Sequence, residues 1–272
     1  MSTDAHENWS AGQLYEPYVG RWSRRVAEEF LDWLQSPANW QWLDVGCGTG
    51  ALTEAILQAT YPSCVTGVDP APGFIACARE HITDPRAEFR LAHAQALPVD
   101  PSRFDAAVSG LVLNFVPEPL AVLREMIGAV RTGGLVAAYV WDYAGKMELM
   151  RYFWDAAVAL NPAAADLDEG RRFPLCAPHK LRELFAQAGL SDVQVRPIDI
   201  ATPFRNFDDY WMPFLGGQGP APAYAMSLSG KDRVVLRHRL RAALPTAADG
   251  SINLTARAWA VRGISTIDSG LK

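Results

Sequence analysis

A strand that runs into three glycines within five residues and leaves them as a helix has few folds open to it. The stretch is QWLDVGCGTGALTEAI, residues 41–56, with Gly46, Gly48 and Gly50 at alternate positions. Glycine gives up side-chain packing and loses more backbone entropy on folding than any other residue. Three of them together are explained by a tight turn, by positive φ, or by something that approaches the backbone closely. A turn of this kind lies at the carboxyl end of its strand, and the following helix presents its amino end there. In open α/β sheets this is where ligands bind.

The rest of the chain supplies the sheet. CVTGVDP (64–70), AEFRLAHA (87–94), FDAAVSGLVLNFV (104–116) and GGLVAAYVW (133–141) read as strands, and helical spacing fills the gaps between them. Strand and helix alternate from about 41 to 141, the pattern of a parallel sheet covered by helices on both faces. The chain has 272 residues and is 49% hydrophobic, enough to bury a large core. After Trp141 the rhythm changes. Helices are expected at 147–160, 179–190 and 231–243, strands at 193–200 and 252–263, and an aromatic-, Pro- and Gly-rich run from 204. One domain carrying a cap is expected.

Charge and cysteine usage exclude several classes. Net charge is −5, which disfavours nucleic acid, and RVVLRHRLR (233–241) places its basic residues at the spacing of a solvated helix face. Cys47, Cys64, Cys77 and Cys176 form no CxxC pair and have no histidine at metal-ligand spacing, so no metal is expected. The first ten residues are polar and no apolar run reaches about 18 residues. A cytoplasmic chain without a membrane partner is expected.

Asp69 ends the second strand, 19 residues beyond Gly50. An acidic residue at that distance from a glycine turn reaches a ribose diol. At this point the chain resembles a family. LDVGCGTG is similar to the first motif of the class I S-adenosylmethionine-dependent methyltransferases, in particular the type 11/25-like small-molecule enzymes. It departs from the dinucleotide fingerprint G-x-G-x-x-G at Ala51. GVDP resembles the family's acidic ribose motif, AHAQALPVD its adenine stretch, FDAAVSGLVLNFV its strand-four motif and VRTGGLV its turn before strand five. The resemblance implies an α/β fold: a Rossmann-like, doubly wound seven-stranded sheet, mostly parallel with an antiparallel last strand, plus a helical cap. It also implies a methyltransferase domain over 41–272, with cap insertions at about 143–180 and 204–245 and a helical lid over 1–40.

The resemblance assigns roles to particular positions. Backbone at Gly46 and Gly48 would face the methionine part of S-adenosyl-L-methionine, and of the product S-adenosyl-L-homocysteine, with Asp44 and Cys47 as further cofactor-binding positions. Asp69 would hold the ribose, Pro70 would pack near the adenine, and Ala94 and Gln95 would meet the adenine edge. Ser109 and Leu111 would border the transfer centre. His93 stands where many relatives carry Asp and is given no cofactor contact. Upstream, YEPYVGRWSRRVAEEFLDWL (15–34) resembles the segment before the first strand of enzymes such as glycine N-methyltransferase. That likeness implies that Tyr18 and Arg25 close over the cofactor carboxylate, with Arg21 and Arg24 as alternatives, since an Arg fork suits a carboxylate.

The expected activity is methyl transfer to a small-molecule acceptor by a monomer or homodimer. Tyr15, Trp22, Trp141, Tyr143, Phe153, Trp154, Tyr210, Trp211 and Phe214 are candidate pocket walls. No residue is singled out as a catalytic base. A nicotinamide-dependent oxidoreductase and a catalytically silent S-adenosylmethionine-binding regulator are the competing readings.

Overall fold

The computed structural model describes residues 20–216 and 219–266; Tyr15 and Tyr18 lie outside them. Seven strands form one sheet: β1 (Gln41–Val45), β2 (Cys64–Asp69), β3 (Ala87–Leu91), β4 (Phe104–Gly110), β5 (Val130–Trp141), β6 (Ser191–Phe204) and β7 (Ile252–Ile264). Their order is β3-β2-β1-β4-β5-β7-β6. The first five strands pair in parallel, and β7 runs antiparallel to β5. This is the doubly wound, Rossmann-like sheet that the motif order implies. The chain leaves β1 toward β2 on one side and returns to β4 on the other. The carboxyl ends of β1 and β4 therefore flank a topological switch point, where such sheets open a crevice.

The central strands are buried on both faces. Trp42, Leu43, Asp44 and Val45 of β1 and Ala106, Ala107 and Val108 of β4 are all fully enclosed. That burial explains near-continuous apolar runs where an exposed sheet would alternate. Helix α1 (Arg21–Leu34) turns Val26, Ala27, Phe30, Leu31 and Leu34 inward, the i, i+4 and i, i+3 stripe of an amphipathic helix. Phe30 meets Tyr139 of β5 at 4.8 Å between ring centroids. Helices α2 (Ala51–Ala59), α3 (Pro72–His81) and α4 (Pro119–Ala129) are the crossovers. Proline opens both α3 and α4, a position where its missing N–H costs nothing.

Two local differences from the sequence reading have clear causes. β5 starts at Val130, ahead of the double glycine, because VRTGG is accommodated as a bulge. Phe104 pairs Val130 while Ala106 already pairs Leu135. The aromatic run after 204 contains two short helices, Phe207–Trp211 and Pro220–Ser227. Asn206 caps the first by accepting the Asp209 N–H at 2.9 Å, and Pro220 opens the second.

The described residues divide into two compact units. The sheet unit comprises Ser23–Trp141, Leu175–Ile198 and residues 258–266. The cap unit comprises residues 20–22, Asp142–Pro174, 199–216 and 219–257. The cap has its own aromatic core. Phe153 stacks on Phe214 at 4.5 Å, with Trp154, Tyr210 and Tyr224 around them. Phe153, Trp154, Tyr210 and Phe214 are wholly buried against these neighbours. Among the described residues no helix is long and apolar enough to cross a membrane.

Candidate cofactor site

The turn after β1 is tied down by its own amides. Gly46 and Cys47 both donate to the Val68 carbonyl of β2, at 2.8 and 3.0 Å, and Gly50 donates to the Cys47 carbonyl at 2.9 Å. Gly48 donates to Asp69 Oδ2 at 3.1 Å. The three glycines all have positive φ, at 77°, 54° and 94°. They differ in what surrounds them. A methyl group on Gly46 would stand 2.5 Å from Val112 Cγ2, and one on Gly50 would stand 2.5 Å from Ile82 Cδ1. Among the described residues, nothing beyond its chain neighbours lies within 4 Å of a methyl group on Gly48. Gly46 and Gly50 are therefore required by packing as well as by backbone, whereas Gly48 faces open space.

Two carboxylates border this turn. Asp69 is 7% exposed and accepts the Gly48 amide on Oδ2 and the Ala71 amide on Oδ1, at 3.1 and 2.9 Å. An ionised carboxylate has about four acceptor positions, so each oxygen retains capacity for a further donor. Burial pushes the Asp69 carboxyl up, and the Ala71 and Gly48 amides partly offset this. Asp44, at the end of β1, is fully buried. Its Oδ2 accepts the Thr53 hydroxyl of α2 at 2.7 Å, while Oδ1 has no partner among the described residues. Burial pushes its carboxyl up to about 7, the Thr53 hydrogen bond working against the rise and the Asp69 charge with it. An orphaned buried carboxylate oxygen costs free energy unless a donor or cation meets it.

The remaining expected positions fall around the same strand ends. Cys47 packs with Ile75, Ala78 and Phe89, so its side chain belongs to the layer beneath α3 and its burial pushes the thiol up. Pro70 and Gln95 are exposed and Ala94 is buried. The loop bearing Ala94 and Gln95 starts with Ala92 N–H donating to the Asp69 carbonyl at 3.1 Å. Ser109 donates its hydroxyl to the Val45 carbonyl at 2.8 Å, bracing β4 against β1. Leu111 holds φ 63°, a left-handed conformation that costs a non-glycine residue about 1–2 kcal/mol, and its amide continues the β4–β5 ladder by donating to Tyr139 at 2.8 Å.

The three arginines have separate surroundings. Arg21, in the cap unit, reaches Asp209 at 3.4 Å and lies over the rings of Trp22 and Phe204. Arg24, in the sheet unit, pairs with Glu54 at 3.3 Å. Arg25 is exposed on α1. The sequence reading did not find Thr53 and Val112, whose parts depend on contacts across elements. A threonine three residues into a helix carries no signal that it will face the carboxylate nine positions earlier.

A buried carboxylate with a free acceptor, a second carboxylate at the neighbouring strand end and an open glycine between them suit a cationic ligand that carries hydroxyls. The methyltransferase-domain family model matches residues 43–138. A demethylmenaquinone methyltransferase of Roseiflexus castenholzii is 30% identical over 171 residues, 58% of this chain and 71% of its own length. A ubiquinone biosynthesis O-methyltransferase of Pseudomonas fluorescens is 33% identical over 159 residues, 54% of this chain and 67% of its own length. The solved phosphoethanolamine N-methyltransferase 2 of Haemonchus contortus, in complex with S-adenosyl-L-methionine, shares the fold at 14% identity and TM-score 0.61, covering 96% of this chain and 59% of that one. The chain belongs to the class I S-adenosylmethionine-dependent methyltransferases.

Proposed function

We propose that the protein transfers the methyl group of S-adenosyl-L-methionine to a small, planar, largely apolar acceptor. The observation that carries this is the pairing of Asp69 with the open backbone of Gly48 at the switch point. In this reading Asp69 accepts the two ribose hydroxyls, and Gly48 lets the thioether region lie against the backbone. The unpartnered oxygen of Asp44 meets the ammonium of the amino-acid end. Ala94 and Gln95 border the purine, and the backbone at Leu111 borders the reacting centre. Ser109 and Cys47 contribute by holding the strands and the layer beneath.

The cofactor, when bound, supplies an already activated methyl group, so this chain's residues bind, orient and exclude water. Orientation of the two reactants is worth roughly 7–11 kcal/mol when the geometry is right. A planar acceptor is supported by the quinone-biosynthesis relatives; the expected aromatic pocket walls Phe153, Trp154, Tyr210 and Phe214 are instead buried in the core of the cap unit.

Calorimetry with S-adenosyl-L-homocysteine and with NAD tests the reading. The homocysteine nucleoside should bind and NAD should not. Asp69→Ala should weaken binding by about 1.5–3 kcal/mol for each charged hydrogen bond lost. A wild-type chain that prefers NAD, or an Asp69→Ala variant that binds as wild type, would overturn it. A methyl-donor assay over a panel of phenols, quinols and amines then identifies the acceptor.

A further inference from the structure

The loop between β3 and β4 has little packing of its own. His93, Gln95, Ala96, Pro98 and Asp100 are exposed, and Ala94 alone is deeply buried. Its shape therefore depends on backbone anchors. At the start, Ala92 N–H is held by the Asp69 carbonyl, and Ala96 N–H closes the turn over Ala94 and Gln95 onto the His93 carbonyl at 3.0 Å. Arg90 holds the Pro98 carbonyl at 3.0 Å, and the fork of the same guanidinium is engaged with Glu88. Two further anchors come from α4, the Gly128 carbonyl accepting the Ser102 N–H at 3.0 Å at the far end of the loop and a side chain nearer the turn. Glu125 of α4 accepts the Leu97 N–H on Oε2 at 3.0 Å. Glu125 rides on a rigid helix turn whose neighbours Val122 and Met126 are completely buried. A charged acceptor makes this anchor stronger than a neutral backbone bond.

We infer that Glu125 is a positioning residue for the purine end of the cofactor, fixing the turn that presents Ala94 and Gln95 through the Leu97 amide. The inference rests on the proposed cofactor reading. Glu125 touches no ligand in this arrangement; it sets the loop that does. The purine preference of the site is thus held in place from α4, a helix that bears none of the binding residues.

The test uses the full chain and two probes, S-adenosyl-L-homocysteine and its inosyl analogue, in which oxygen replaces the purine 6-amino group. Wild type should prefer the adenosyl form. Glu125→Ala should lose about tenfold in adenosyl affinity, while inosyl affinity changes little, so the preference collapses. Glu125→Gln keeps an oxygen that can accept the Leu97 amide and should restore most of the preference. Glu125→Asp keeps the charge but is one methylene short, and should behave as alanine does. A general loss of stability would weaken both probes alike and leave their ratio standing. Folded Ala and Asp variants with the wild-type ratio would overturn the inference, as would a Gln variant without restoration. A wild-type chain that binds neither probe removes the cofactor reading and this inference with it.

Discussion

Replacing the turn glycines one at a time with alanine separates what the turn does for folding from what it does for binding. Gly48 has φ 54°, and no described residue beyond its chain neighbours lies within 4 Å of where a Cβ would stand. Gly48→Ala therefore incurs only the left-handed backbone penalty, about 1–2 kcal/mol. Gly46 incurs the same penalty and adds a methyl group 2.5 Å from Val112 Cγ2. Forcing such a contact costs about 1–3 kcal/mol more. Since 1 kcal/mol shifts Tm by about 2–4 °C in a chain of this size, thermal melts should place Gly46→Ala well below Gly48→Ala. Affinity should run the other way relative to stability. The Gly48 methyl enters the ligand's space, so binding of S-adenosyl-L-homocysteine should fall about tenfold, ~1.4 kcal/mol, in a protein that still folds. Adding Val112→Ala to Gly46→Ala should return part of the lost stability, and a double-mutant cycle reads that coupling directly. Gly46→Ala melting no lower than Gly48→Ala, or zero coupling to Val112, would refute the packing argument. Undiminished affinity in Gly48→Ala would refute the assignment of the open space.

Asp44 gives a pH dependence whose sign follows from its burial. Its carboxyl titrates near 7 in the folded chain against 3.8 ordinarily, so the folded state holds an extra proton between those values and stability falls as pH rises through that window. The ammonium group of the ligand's amino-acid end favours the ionised form, so affinity for S-adenosyl-L-homocysteine should rise from pH 6 to pH 8 with proton release; Asp44→Asn should flatten the profile, and calorimetry in two buffers of different ionisation enthalpy checks it. Thr53→Val removes the hydrogen bond that lowers this titration, and should move the midpoint upward; an unmoved midpoint would mean that another group titrates. Ser109→Ala should cost about 1 kcal/mol in a denaturant melt, because a buried hydroxyl-to-carbonyl bond is lost, while leaving nucleoside affinity within twofold; a large affinity loss would place the hydroxyl in the ligand site instead.

The sheet was legible because its signals are local. The glycine turn, the acidic residue closing β2 and the apolar runs of β1, β4 and β5 all lie within short windows, and together they carry the resemblance that implied a doubly wound, mostly parallel sheet. What lay hidden was set by contacts between distant segments. Val112 against Gly46, Thr53 against Asp44 and Glu125 against Leu97 join residues 66, 9 and 28 positions apart. Composition hid the bounds of the two helices between 204 and 228 in the expected cap, where Asn206 and Pro220 supply starts within a run dense in aromatics, Pro and Gly. The left-handed Leu111 was equally invisible, because leucine is a residue that normally argues against that conformation.

The position of β7 imposes an order of events on synthesis. β6 leaves the ribosome before β7, yet the sheet inserts β7 between β5 and β6. A nascent chain that has already paired β1 to β5 must therefore carry a 14-residue strand whose sheet neighbour has not yet been made. Open strand edges of that length invite pairing with other chains. Pro197 and Pro203 remove two donors from β6, Arg196 lies over the Trp33 ring, and Asp199 presents a carboxylate that the Arg257 fork of β7 later engages at 2.6 and 2.8 Å. These residues guard a waiting strand against strangers until β7 arrives to claim it.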